Sequence, residues 1–203
     1  MDINNNIIKI INENIKKENI PKNLIEIPSN FYNEAKEKGK LKDFYYNTYD
    51  SLNYEEKKTK ILKKATVYIP YNYNKNNKYN VYYLMHGGWS NETTQLGSEN
   101  NENSFKTVID NMIQNKLINS LIICPTYNNL SNNDSSSYEL SGYYLAPNFY
   151  RELIYDLMPK VKTEYATYAG KGTKDDLIKS REHMFRWIFN GFSLYFKCIC
   201  ICK

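Results

Sequence analysis

The rhythm of apolar positions changes along the chain. From Ile7 the residues Ile7, Ile8, Ile11 and Ile15 recur at helical spacing until Pro21 stops the run, which predicts a short amphipathic leader over residues 1–22. Phe44, Tyr46 and Thr48 then alternate with residues of the opposite face, and Ala65, Val67 and Ile69 do the same up to Pro70. Two half-exposed strands are expected there, with the charged residues 54–60 as their hairpin connection. Residues 79–85 form a continuous apolar and aromatic run, as a strand buried on both faces would. After a loop over 86–102, Phe105, Val108, Ile109, Met112 and Ile113 fall on one helical face, with Asn103 or Ser104 available as N-cap. Residues 118–124 repeat the buried-strand signature and close at Pro125. A Ser/Asn-rich loop covers 126–142, and Pro147 opens another helix with Phe149, Leu153, Leu157 and Val161 a turn apart. Residues 176–185 read as helical and 187–192 as a third buried strand. Two alternating strands followed by strand–helix–strand–helix–strand describe an α/β sheet, parallel in its centre and antiparallel at its leading edge.

Composition narrows this picture. The 203 residues suit one domain, and 20 Tyr with 8 Phe argue against disorder. Lys+Arg 27 against Asp+Glu 22 leaves a charge of +5 that is spread along the chain, so nucleic acid is not an expected partner. No stretch is long and apolar enough to span a bilayer, so no membrane partner is expected either. The start, Met1-Asp2-Ile3-Asn4-Asn5-Asn6, lacks the basic and apolar regions of a secretory signal. Cys124 lies alone in an apolar run and reads as a buried, inert thiol. Cys198, Cys200 and Cys202 alternate with isoleucine at the end of the chain. That run could hold a soft metal, yet it lacks the two-residue spacers of a zinc site and reads better as low-complexity sequence. No metal and no cofactor are expected.

Two strand ends carry chemistry. His86-Gly87-Gly88-Trp89 directly follows the first buried strand, and glycines there let the backbone turn sharply and expose N–H groups. Donors fixed in that way stabilise a developing oxyanion by about 3–4 kcal/mol each, against the plainer reading of a Gly-Gly turn. His86 is expected to support the loop and not to shuttle protons. Gly191-Phe192-Ser193-Leu194 follows the third predicted strand and matches the first half of the Gly-x-Ser-x-Gly nucleophile elbow. The second small residue is missing, because position 195 is Tyr.

Together these segments resemble the feruloyl esterase branch of the carbohydrate esterases, family 1, which have the α/β-hydrolase fold. The resemblance runs in order through Ala65-Thr66-Val67-Tyr68-Ile69-Pro70 and Tyr82-Tyr83-Leu84-Met85-His86-Gly87-Gly88. It continues through Pro125-Thr126-Tyr127-Asn128, residues 150–159, Arg181-Glu182-His183 and Gly191-Phe192-Ser193-Leu194. It implies hydrolysis of cinnamoyl or acetyl esters on plant cell-wall xylan, with an ester-substituted polysaccharide as partner. Ser193 takes the nucleophile's place. The N–H of Leu194 would be one oxyanion donor, and Gly88 or Trp89 would supply another. Tyr127 would contact substrate, and His183 would pack against the elbow strand.

That fold places its acid and then its base after the serine, and residues 194–203 contain no Asp, Glu or His. The sequence therefore reads as the N-terminal two-thirds of the hydrolase fold, residues 23–194, cut off at the elbow. Residues 195–203 would be an unrelated tail, consistent with read-through of non-coding or frame-shifted sequence. Inactivity is the expectation. The alternative is a non-catalytic carbohydrate-binding module that stacks Trp89, Tyr127, Tyr143 and Tyr144 on sugar or ferulate rings, against ordinary packing of these aromatics.

Overall fold

The computed structural model describes residues 26–129, 134 and 144–168 and the backbone of 183–187. The predicted leader over 1–22 and the Cys/Ile tail lie outside those residues. The chain divides into two units, Met1–Asn30 and Phe31–Lys203, and the second carries everything that follows.

Its centre is a five-stranded mixed sheet. Strand β1 (Lys40–Tyr49) and β2 (Lys60–Ile69) pair antiparallel, Lys40 opposite Ile69 and Tyr49 opposite Lys60. The connection holds a 3-10 turn, Ser51–Glu56, capped by the Asp50 side chain on Leu52 N–H. β3 (Asn80–Met85), a small antiparallel pair β4 (Gly97–Ser98) and β5 (Asn101–Glu102), β6 (Ser120–Cys124) and β7 (His183–Trp187) follow. The large sheet runs β1-β2-β6-β3-β7. β2 meets β6 antiparallel, whereas β3 lies parallel to both β6 and β7. The expected arrangement, antiparallel at the leading edge and parallel at the centre, is what the chain adopts.

Alternation along the strands creates two cores. On one face Phe44, Tyr46, Val67, Tyr83, Ile123 and their neighbours pack under the second helical segment. On the other, Leu41, Tyr68, Leu84, Leu96, Ile109 and Ile122 pack beside helix α1 (Ser104–Gln114), whose N-cap is Asn103 with its side chain on Phe105 N–H. The segment opened by Pro147 is not one regular helix. It comprises α2 (Ala146–Glu152), a π-helical stretch at Leu153–Leu157 and α3 (Met158–Glu164). The second proline, Pro159, sits in the first turn of α3 and has no N–H to offer the regular ladder.

One expectation needs correcting. The helix expected over 176–185 and the strand expected over 187–192 lie outside the described residues except at 183–187, and there the chain forms β7, His183–Trp187. His183 is the first residue of that strand. Register explains the shift: Val81 faces His183 and Met85 faces Trp187, so the two parallel strands end level. The apolar residues Met184, Phe185 and Trp187 satisfy a helical or a strand rhythm equally, and only pairing with β3 decides between them.

Candidate active site

Parallel strands collect chemistry at their carboxyl ends. β3 ends at Met85, β6 at Cys124 and β7 at Trp187, so the glycine loop, the Pro125–Asn128 segment and the chain leading to Ser193 all depart from one edge. Ser193 and Leu194 lie outside the described residues, as does Tyr143.

His86 is buried, and its ring is fixed at both nitrogens. Nδ1 lies 2.7 Å from the Gly87 carbonyl and Nε2 lies 2.8 Å from Thr126 Oγ1. A carbonyl only accepts, so Nδ1 carries the proton and Nε2 accepts from the threonine hydroxyl. That hydroxyl in turn accepts the Asn128 N–H at 3.1 Å. Burial, reinforced by the Lys63 charge, holds the imidazole down to about 4 despite the bond to Gly87. His86 is thus neutral and bonded on both sides at neutral pH, the supporting role its sequence position suggested.

Tyr127 completes the brace. Its hydroxyl donates to the Gly87 carbonyl at 2.9 Å, and its ring lies 4.4 Å from the His86 ring. It is fully buried, with no ring face in solvent. In that placement Tyr127 ties the glycine loop to the segment that follows β6. Asn128 adds a further tie, its Nδ2 donating to Ser90 O at 3.1 Å.

The loop so braced presents Gly88 and Trp89. A Cβ built on Gly88 would meet nothing within 4 Å. Among the described residues no hydrogen bond takes the N–H of Gly88 or Trp89, while the Gly88 carbonyl accepts from Ser90 Oγ at 3.1 Å. Trp89 adopts the left-handed region at φ 54° and is 69% exposed. That conformation costs a non-glycine residue about 1–2 kcal/mol, and the loop's ties hold it there. Further along, Lys64 reaches Glu92 at 3.3 Å, and Asn91 Oδ1 accepts from the N–H (2.9 Å) and hydroxyl (2.7 Å) of Thr93.

Behind the loop lies a charged pair that the sequence reading missed. Lys63 and Glu152, both buried, meet at 2.8 Å. Tyr46 donates its hydroxyl to the other carboxylate oxygen, and the Lys63 ammonium lies 5.5 Å from the Phe149 ring centre. Burial pushes the Glu152 carboxyl up and the Lys63 ammonium down, each opposed by its partner. One turn on, Asp156 accepts from Thr48 at 2.7 Å and from Tyr54 at 2.8 Å. The partners are far apart in sequence, and only a lysine on the inward face of β2 hinted at them.

No family model matches the chain. Endo-1,4-beta-xylanase Y of Acetivibrio thermocellus is 36% identical over 133 residues, which are 65% of this chain and 11% of that protein. A solved feruloyl esterase module from Clostridium thermocellum, a serine-to-alanine mutant complexed with sinapinate, is 28% identical with a TM-score of 0.61. The match covers 80% of this chain and 49% of that one. The chain resembles feruloyl esterases in sequence and in fold. The ferulic acid esterase of Anaeromyces mucronatus, solved with ferulic acid, shares the fold at 20% identity and a TM-score of 0.57, over 82% of this chain and 56% of its own. The chain thus spans about half the length of these feruloyl esterase structures and about a tenth of the xylanase.

Proposed function

We propose that this chain carries the nucleophile and oxyanion half of a carboxylic-ester hydrolase of the feruloyl or acetyl-xylan esterase type, acting on ester-substituted plant cell-wall polysaccharide. The observation that supports it most is the braced turn at Gly87-Gly88-Trp89. Among the described residues no group takes the N–H of Gly88 or Trp89, and the turn stands level with the end of the strand that leads toward Ser193. Ser193 attacks the ester carbonyl; the N–H of Leu194, with that of Gly88 or Trp89, receives the charge that develops on oxygen. Each donor is worth about 10²–10³ in rate.

A serine hydroxyl needs a base to take its proton and an acid to orient that base. His86 has both nitrogens engaged and stays neutral, so it supplies neither. Residues 194–203 hold no Asp, Glu or His, and the 203-residue polypeptide is therefore proposed to be inactive by itself. Hydrolysis of methyl ferulate and of a small aryl ester, each compared with Ser193→Ala, tests both parts. The 203-residue chain is expected to show no Ser193-dependent turnover, and a polypeptide that continues beyond Ser193 with an Asp and a His is expected to show it. Turnover by the shorter chain overturns the inactivity. Turnover indifferent to Ser193 in the longer one overturns the assignment of the nucleophile, and no turnover there overturns the esterase.

A second reading, a carbohydrate-binding module derived from an esterase, is favoured by the exposed indole of Trp89 beside the loop and by Tyr144, 50% exposed. Retention on feruloylated xylan, lost in Trp89→Ala and unaccompanied by turnover in any chain length, would select it.

A further inference from the structure

The end of the sheet away from the glycine loop holds a second concavity. Since Thr66 faces Cys124 and Tyr68 faces Ile122, the carboxyl end of β2 lies beside the start of β6, opposite the strand ends that bear His86 and Tyr127. There, a cleft of about 590 Å³ opens between the β1–β2 pair and the end of α3. That is within the ~300–1,000 Å³ of sites that take small ligands.

Its chemistry is one-sided. Lys38, Lys40, Lys42 and Lys75 line it, and Glu164 is the single carboxylate among its lining residues. Glu164 is already paired with Lys160, and Lys38 with Glu34. Lys40, Lys42 and Lys75 are exposed and carry no ion pair among the described residues. Alternation puts Lys40 and Lys42 on the same sheet face as Phe44, about 7 Å apart along β1. The remaining wall is aromatic. Tyr165 packs 5.8 Å from Phe44 and 6.2 Å from Tyr73, and the Tyr73 hydroxyl accepts the Ala166 N–H at 2.7 Å, which pins both rings. Tyr71 stands at the rim, 44% exposed.

We propose that this cleft is a binding site for an anionic polysaccharide, a glycan chain bearing uronate carboxylates, separate from the candidate esterase site. Exposed ammonium groups at strand spacing, as on Lys40 and Lys42, suit carboxylates spaced along a polymer. Tyrosine faces suit the apolar faces of sugar rings. Lysine ammonium groups serve carboxylate and phosphate alike, so the tyrosine wall is what favours a glycan, and a nucleic-acid strand enters the test as the competing ligand. An alternative role for edge-strand lysines is to discourage strand addition, and that role makes no use of Tyr71.

The test is affinity electrophoresis of the 203-residue chain through polygalacturonate, through glucuronoxylan and through neutral arabinoxylan. Retardation is expected in the two acidic polymers and not in the neutral one. The triple variant Lys40→Ala/Lys42→Ala/Lys75→Ala should weaken it about tenfold, as three exposed contacts of about half a kcal/mol each would. Tyr71→Ala should weaken it at unchanged net charge, and Ser193→Ala should leave it as it is, so failure here and failure of the esterase are separable. Equal retardation by arabinoxylan, insensitivity to the lysine variant or to Tyr71→Ala, or tighter binding of a single-stranded oligonucleotide would each overturn the proposal. Thermal melts of the lysine and Tyr71 variants, all at exposed positions, should match the parent chain and so separate lost binding from lost folding.

Discussion

His86 shows at the scale of one residue how burial decides a role. The fold holds its pKa near 4, whereas an unfolded chain leaves it at about 6.5, so between those values the unfolded state takes up a proton that the native state refuses. Stability from this group is full above pH 6.5 and falls as pH drops toward 4, by up to about 3 kcal/mol. Urea unfolding across that range, compared with His86→Gln, should show the dependence in the first and lose it in the second. Two glycines make a complementary pair. At Gly39 a Cβ would lie 2.3 Å from the Tyr68 ring and 2.6 Å from Ile69 O, so Gly39→Ala should cost at least about 1–3 kcal/mol in chemical denaturation. Gly88→Ala meets open space and should change stability by less than about 0.5 kcal/mol. A large loss there would show that the turn is needed for folding and not for access of an ester. His86, Gly87 and Gly88 were legible in the sequence because they stand directly after an apolar run, whereas Gly39, among charged residues, was not. Tyr127 was not, because a tyrosine after a strand is equally suited to a sugar or to a core.

Between elements, the long-range bonds carry the tuning. Lys63 on β2 and Glu152 on α2 are 89 positions apart, and their pair with Tyr46 joins the β1–β2 hairpin to the helical segment beneath it. Lys63→Met strands a buried carboxylate and should cost about 3–5 kcal/mol; adding Glu152→Leu should recover much of that in a denaturation cycle. The single substitution should also raise the His86 pKa, read by NMR of the ring protons, because the Lys63 charge helps to hold it down. On the opposite face Asp110 of α1 accepts from Gly39 N–H at 2.9 Å and Tyr68 at 2.7 Å and pairs with Lys106 at 2.9 Å, which fixes that helix to the hairpin. Periodicity found α1 and its Asn103 cap, both β1 and β2, and the buried runs of β3 and β6. It missed the π-helical stretch at Leu153–Leu157 and misplaced β7, since neither the proline's effect on its own turn nor a register with β3 is a property of local spacing.

For the whole molecule, the sheet order leaves β7 bonded to β3 on one side and, among the described residues, to no strand on the other. A strand with an open edge templates association, so the 203-residue chain should self-associate between about 1 and 100 μM in sedimentation velocity. A single monomeric species across that range would show that the edge is covered. The amino-acid sequence alone determined the α/β class, the alternating and continuous strands and the turn after Met85, because those follow from which residues tolerate water and which backbones tolerate a bend. Only the tertiary structure decided that His86 is neutral, that Tyr127 is a brace, that Lys63 finds Glu152 and that four lysines share one cleft. Each of these depends on distance between residues remote in the chain, and such distances exist only once the sheet has chosen its order and register.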